Sequence, residues 1–194
     1  MAPVARQPPR NLANYWKMEA ANVLFVPAFA LWLGFPRHAT EAVAIILAIV
    51  AAAGFLIVGA AYWRAVDRRV RLGEGGVTAR ALALADRLEK PLLVVAALAL
   101  VATLAALAVH GWSRTVIAAA CLSLLAALEY INYYHRQLQH FDNMADLKRL
   151  FAGRGMKPAH MGRELAAWRA RKVGPPRHRP LDDPAPRVLT DPVR

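Results

Sequence analysis

The sequence predicts an all-α integral membrane protein, a bundle of four transmembrane helices with amphipathic helices on its cytoplasmic side. Three observations predict this fold. Hydrophobic residues make up 57% of the 194 residues, they fall into long runs that contain little charge, and the basic residues are concentrated in alternate connections between those runs. An apolar run of about 18 or more residues is long enough to cross the hydrocarbon core of a bilayer as a helix.

The transmembrane bundle is predicted to occupy residues 16–135, with membrane-crossing helices at 18–35, 42–63, 91–112 and 116–134. The first of these helices is the least apolar, because Glu19 and Asn22 lie within it. A secretory signal peptide is the alternative for this segment, since Arg6, Arg10 and Lys17 precede an apolar run. We favour a membrane span, because polar residues lie inside the run and no small-residue cleavage motif follows it.

The basic residues predict the orientation of the bundle. Of the 25 lysine and arginine residues, only Arg37 and Arg114 fall in the first and third connections. The positive-inside rule therefore places both termini and the middle loop in the cytoplasm, in a multi-pass protein of the plasma (inner) membrane. Tryptophan side chains settle at membrane interfaces, and four of them mark the predicted span ends, at Trp16, Trp32, Trp63 and Trp112. A cytoplasmic face against the anionic lipids of the inner leaflet explains the net charge of +12 without nucleic acid.

Two segments that precede the third span are also predicted to be cytoplasmic. Residues 1–15 form an N-terminal segment. In the middle loop, Thr78 caps an amphipathic helix, with its apolar residues at helical spacing and its arginines on another face. This helix is expected to lie on the inner leaflet or to extend the third span, with Pro91 at the junction.

Residues 136–173 are predicted to form a cytoplasmic helical extension. The fourth helix continues to about Ala152, and a second helix begins near Pro158 with an apolar stripe of Met161, Leu165 and Trp168. This stripe is expected to adsorb to the membrane or to pack against the bundle, although a basic helix pair is also typical of a DNA-binding helix-turn-helix. We favour the first two interpretations and predict no nucleic-acid partner. The proline-rich basic tail, 174–194, is predicted to be disordered.

The sequence contains no recognised catalytic, nucleotide-binding or cofactor motif, so no cofactor is predicted. Its six histidines are spread over both ends of the bundle and the C-terminal region. His135 and His140 are five residues apart, which places them about 140° apart on a helix, a poor geometry for sharing one metal. We therefore predict no metal site.

One group of polar residues is the candidate site. On a continuous helix, one stripe of polar residues falls within about 120° of arc, namely Glu129, Asn132, Tyr133, Arg136, Gln139, His140 and Asn143. The candidate site on this segment comprises Glu129, Asn132, Tyr133, His135, Arg136, Gln139 and His140. The first span offers Glu19 and Asn22 at the same depth. A carboxylate at membrane depth costs about 2.5–3.5 kcal/mol on insertion scales. Glu19 and Glu129 are therefore expected to face the interior beside a cation, for which the candidates are Lys17, Arg64, Arg68 and Arg136.

Two interpretations of this network remain open. It either fixes the packing of the helices, or it lines a pocket for a lipid headgroup, a quinone, another amphiphile or a partner subunit. The leading functional hypothesis is a non-enzymatic accessory or scaffold subunit. Its basic cytoplasmic face would engage membrane lipids, a partner membrane subunit or a second copy of the chain. The alternative is an enzyme or carrier that acts on a lipid-soluble substrate between the first and fourth spans.

Overall fold

The computed structural model describes residues 12–138 and 157–173, which form five helices, the first four of them joined by short turns. The helices are α1 (Leu12–Leu33), α2 (Ala39–Leu72), α3 (Gly75–His110), α4 (Arg114–Tyr130) and α5 (His160–Val173). A π-helical turn, Ile131–His135, continues α4. No strand occurs among the described residues, and the all-α prediction is confirmed. The first eleven residues, the helix predicted to reach Ala152, and the proline-rich tail lie outside the described residues.

The central helix of the bundle is α2, which packs against α1, α3 and α4. Its buried face is rich in small side chains, among them Ala44, Ala48, Ala51 and Ala52. Small residues let neighbouring helix backbones approach closely, and this close approach replaces the large apolar side chains of a typical soluble core. The α2 sequence therefore accounts for its central position.

The two longest helices exceed their predicted spans. Helix α2 has 34 residues and α3 has 36, which at 1.5 Å per residue gives about 51 and 54 Å. A bilayer core is only about 30 Å thick, so both helices extend beyond it at the turn that joins them. Gly73 ends α2 with a φ of 71°, a left-handed conformation that favours glycine. The predicted amphipathic helix of the middle loop is the first part of α3, and Pro91 lies inside α3 without ending it.

Within residues 12–138 and 157–173, three helices are long and apolar enough to cross a membrane, namely α2, α3 and α4 with its π-helical turn. The prediction of four spans is therefore not confirmed, because α1 does not reach the same apolarity. Helix α1 has 22 residues, about 33 Å at 1.5 Å per residue, so its length is sufficient. The polar side chains of Lys17, Glu19 and Asn22 lower the mean hydropathy of its first half.

The bundle has two distinct ends, which we call the α5 end and the turn end. The α5 end contains α5 and the turn between α2 and α3. The turn end contains the α1–α2 and α3–α4 turns, which are joined by hydrogen bonds. Ser113 Oγ donates to Glu41 Oε1 at 2.5 Å, and Thr115 Oγ1 donates to the Phe35 carbonyl at 3.0 Å. Gly34 packs directly on the backbone of Arg114, where a Cβ would not fit.

Candidate functional site

Four of the predicted residues come together near the α5 end, between α1 and α4. Glu19 is 5% exposed and Tyr133 is 3% exposed. The Glu19 carboxylate lies beside the hydroxyls of Tyr133 and Tyr15 and close to Glu129. Glu129 in turn lies beside Tyr133 and Asn132. We call Glu19, Glu129, Asn132 and Tyr133 the carboxylate cluster. The fifth predicted residue on this side, Asn22, is half-buried one turn further along α1.

The expected cations do not reach the carboxylate cluster. Neither Glu19 nor Glu129 forms an ion pair with any residue of 12–138 or 157–173. The ammonium of Lys17 and the guanidinium of Arg64 instead lie over the Trp16 ring, 5.9 and 5.5 Å from its centroid. The guanidinium of Arg68 pairs with Glu74 at 2.8 Å. The prediction of cationic partners is therefore wrong for these three residues, because an aromatic ring and a nearer carboxylate satisfy them.

Tyr133 fills the space beside the cluster. Its ring lies where a Cβ of Gly59 would be, so the glycine lets α2 and α4 approach closely. The Tyr133 hydroxyl is buried and forms no hydrogen bond of normal geometry with the described residues, and Glu129 Oε2 is in the same state. The adjacent cavity measures about 20 Å³, room for about one water molecule. Sites for drug-sized ligands measure roughly 300–1,000 Å³, so no amphiphile fits there.

The polar stripe ends where α4 ends, because residues 136–138 are not helical. Arg136 has an extended backbone, with φ −136° and ψ 130°. Its neighbour Gln137 donates its backbone N–H to the Lys157 carbonyl at 2.9 Å. Asn132 Oδ1 accepts the Leu138 N–H at 2.9 Å, which caps the reversal. Residues 136–138 therefore lie beside the segment that leads into α5 and do not continue α4 as a helix.

This break in the helix leaves His135 and Arg136 outside the carboxylate cluster. The side chains of His135 and Arg136 are exposed. The His135 ring packs edge-on against Tyr130, with centroids 4.9 Å apart. Gln139 and His140 lie outside the described residues. The sequence could not place His135 and Arg136, because the helical stripe assumed regular α-helical geometry through a segment that is π-helical and then extended.

Helix α5 packs against the bundle through its apolar stripe. Met161 and Leu165 are each 2% exposed and belong to the main core, with Trp168 at its edge. Gly162 lies against the backbone carbonyl of Tyr134, where a Cβ would overlap. Of the two interpretations considered for this stripe, packing against the bundle is the one observed.

Charged and polar contacts fix α5 along α2 and α3. Arg69 pairs with Glu164 at 2.8 Å. Arg169 pairs with Asp86 at 2.7 Å and also contacts Glu89. Exposed ion pairs of this kind contribute up to about 1 kcal/mol each, so together they orient the helix more than they stabilise it.

A tyrosine and a histidine form the deepest polar contact of α5. The Tyr62 hydroxyl is hydrogen-bonded to His160 Nδ1. Burial lowers the pKa of the His160 imidazole below its usual range, because a buried charge loses its hydration. The docked state of α5 therefore favours the neutral imidazole.

The partners of α5 on α2 and α3 were not among the residues predicted from the sequence. Asp86 and Glu89 are three residues apart on α3, as are Arg169 and Lys172 on α5. Residues at this spacing share a helix face, and two faces of opposite charge predict that the helices pack together. This signal was available in the sequence.

A basic groove runs along the α5 end between α2 and α3. It measures about 360 Å³ and is lined by three arginines, Arg64, Arg68 and Arg80. Alanines and two larger apolar residues complete its lining, at Ala61, Ala65, Val77, Ala81 and Leu84. Among the described residues, neither Arg64 nor Arg80 has a carboxylate partner. The groove thus presents unneutralised positive charge above an apolar surface.

The described part of the chain contains no group of three or more His, Cys, Asp or Glu side chains that could hold a metal ion. Comparison with known protein families, with characterised proteins and with solved structures finds no match for this chain.

Proposed function

We propose that this chain is a non-enzymatic integral membrane protein of four spans, an accessory or scaffold subunit whose basic α5 end lies in the cytoplasm. At that end it binds anionic lipid and engages a larger membrane complex. The observation that carries the proposal is the basic groove, which combines an apolar lining with two guanidiniums that have no carboxylate partner among the described residues.

The position of α1 supports four spans. Helix α1 runs antiparallel to α2. Near its start, the Tyr15 ring lies beside the Trp63 ring, with centroids 5.1 Å apart. Just after its end, Gly34 packs on the backbone of Arg114. It therefore covers nearly the whole apolar length of α2. Its outward face carries large exposed apolar side chains, at Leu24, Phe25, Phe29 and Trp32. A membrane that surrounds α2 also surrounds this face, where lipid can cover it.

A topology experiment tests the fourth span. A reporter inserted at Gly75 should score cytoplasmic, and one inserted at Arg37 should score external, because α2 separates these turns. A reporter at residue 8 should score on the same side as Gly75 if α1 crosses the membrane. If residue 8 and Arg37 score on the same side, α1 does not cross.

The depth of the basic groove supports lipid binding. Arg64 directly follows Trp63, which closes the long uncharged stretch of α2. Tryptophan at a span end marks the interface between hydrocarbon and headgroups. Basic pockets between helices at the cytoplasmic interface suit the phosphates of anionic lipids, and guanidinium binds phosphate through two parallel hydrogen bonds.

Purification from native membranes in mild detergent, followed by native mass spectrometry, tests both parts of the proposal. The wild-type protein should retain anionic phospholipid and appear with a second copy or a partner membrane subunit. The double variant Arg64→Gln with Arg80→Gln should lose most of the anionic lipid. Its matched control is Arg87→Gln with Arg163→Gln, which removes the same charge from exposed positions outside the groove and should retain the lipid. Equal loss in both variants would mean diffuse attraction and no groove site. A lipid-free monomer of the wild type would contradict the proposal.

An enzyme or carrier acting between the first and fourth spans is the weaker candidate. The cavity beside the carboxylate cluster measures about 20 Å³, far below the roughly 300 Å³ at which small-ligand sites begin. We therefore assign the carboxylate cluster a role in the contact between α1 and α4.

A further inference from the structure

The turn end contains a cavity of about 580 Å³ between the α1–α2 turn and the α3–α4 turn. Its lining includes Arg37, Arg114, Trp32 and Trp112. Arg37 and Arg114 are the basic residues of these two turns. They are far apart in sequence, yet the fold brings both to one cavity. Its volume falls within the range of roughly 300–1,000 Å³ that is typical of small-ligand sites.

We propose that this cavity binds the headgroup of a phospholipid, with the phosphodiester held by the guanidiniums of Arg37 and Arg114. The site lies at the opposite end of the bundle from the basic groove, and it goes beyond the proposed function. Its ligand class is a membrane phospholipid, recognised by its phosphodiester whatever its further headgroup.

The charges of the cavity match one phosphodiester. Neither guanidinium forms an ion pair with a described residue. The carboxylate of the cavity, Glu41, is 3% exposed, and its two oxygens accept hydrogen bonds from Ser113 Oγ at 2.5 Å and from the Arg37 N–H at 2.9 Å. Glu41 is thus committed to holding the turns together. Two cations and one carboxylate leave one positive charge, which equals the single negative charge of a phosphodiester.

The two neighbouring histidines are already engaged with each other. The rings of His38 and His110 stack with centroids 4.3 Å apart, and His110 Nε2 is hydrogen-bonded to Thr40 Oγ1 at 2.7 Å. They are not among the residues that line the cavity. The anion-binding groups of the cavity are therefore its two arginines, aided by the positive end of the α4 helix dipole.

The rim of the cavity selects a lipid over a soluble anion. Trp32 is 78% exposed, Phe35 75% and Trp112 69%. Such rings in water would expose a large apolar surface, whereas at a membrane interface they settle at the level of the headgroups and glycerol backbone. A phospholipid can place its phosphodiester between the arginines while its acyl chains follow the rings towards the hydrocarbon. Inorganic phosphate would make only the first of these contacts.

Thermal unfolding in detergent, with added phosphatidylcholine, tests the site. This lipid carries a phosphodiester but no net charge, so binding of anionic lipid at the basic groove does not contribute to the readout. The melting temperature of the wild-type protein should rise with phosphatidylcholine and should not rise with diacylglycerol, which lacks the phosphodiester. Arg37→Gln with Arg114→Gln should lose at least half of that rise, and Arg37→Lys with Arg114→Lys should lose less, because lysine keeps the charge without the two-point geometry.

The control for charge removal is Arg87→Gln with Arg163→Gln, which should keep the full rise. An equal rise in Arg37→Gln with Arg114→Gln and in the wild type would overturn the proposal. A rise produced as well by diacylglycerol, or as well by inorganic phosphate, would overturn it too, by assigning the effect to acyl chains or to a free anion. If the double glutamine variant does not fold, the lysine variant decides: a full wild-type rise there contradicts two-point binding. Failure of the basic groove to bind anionic lipid would leave this readout unchanged, so the two proposals fail separately.

Discussion

Glu129→Gln should stabilise the protein, although the substitution removes a half-buried carboxylate. Glu129 lies close to a second carboxylate, Glu19, and neither has a cationic partner among the described residues. An unpaired buried charge is strongly unfavourable, and two neighbouring ones repel each other. Glutamine keeps the volume and can still hydrogen-bond to Tyr133. We expect the free energy of unfolding in detergent to rise by about 1–2 kcal/mol, of the order of one unsatisfied buried polar group.

The matched control for this prediction is Glu164→Gln on α5. Glu164 pairs with Arg69 at 2.8 Å, so the same substitution there removes an attractive contact and should lower stability slightly. Opposite signs for the two variants would separate an uncompensated carboxylate from a paired one. A fall in stability for Glu129→Gln would show that hydrogen bonds to the ionised carboxylate outweigh the repulsion. If Glu129→Gln does stabilise the protein, the double variant with Glu19→Gln should gain less free energy of unfolding than the sum of the two single variants, because either substitution alone relieves the repulsion.

Gly162→Ala should release α5 from the bundle. The added Cβ would overlap the backbone carbonyl of Tyr134, and a carbonyl of the π-helical turn cannot rotate away as a flexible side chain can. Overpacking of this kind costs about 1–3 kcal/mol, more than the up to about 1 kcal/mol that alanine gains over glycine within a helix. We expect faster tryptic cleavage within α5, because Arg169 would leave its pocket of Asp86 and Glu89.

Gly76→Ala provides the control for this substitution. Gly76 lies in the first turn of α3, and a Cβ there meets nothing within 4 Å. The variant should keep α5 resistant to trypsin and should be unchanged or slightly stabilised, since alanine favours the helix. If Gly162→Ala were as resistant to trypsin as the wild type, α5 would accommodate the added Cβ while still packed on the bundle. The close contact with Tyr134 would then be unimportant for docking.

The sequence predicted the apolar cores of the helices because hydrophobicity alone determines them. The predicted span 42–63 lies within α2, and the predicted span 91–112 follows α3 to its end at His110. Their full lengths were missed because the charged ends of both helices are stabilised by packing against each other and, on α3, by α5. The apolar length of a segment says nothing about such contacts. For α1, polar residues that face the bundle interior lower the mean hydropathy of a helix whose outer face is strongly apolar.

The sequence predicted which residues of the candidate site lie together, but not the partners of its two carboxylates. Glu19, Glu129, Asn132 and Tyr133 do lie together, because helical spacing placed each on an inward face. Three of the basic residues expected beside the two carboxylates have other partners. Lys17 and Arg64 lie over the Trp16 ring, and Arg68 pairs with Glu74. A sequence shows which charges exist but not which of several nearby partners each one meets. The contacts at the turn end were missed for the same reason, because they join residues that are distant in sequence.

The continuous α2–α3 pair has a mechanical consequence. About 20 Å of each helix extends beyond a bilayer core of about 30 Å, and in both helices the protruding and embedded parts belong to one uninterrupted helix. Helix α5 is fastened to the protruding part by Arg69 and Asp86, and to its base at the membrane interface by Tyr62. The pair therefore acts as a stiff lever. A force applied at α5 would change the tilt of the embedded helices and would not be absorbed by a flexible linker.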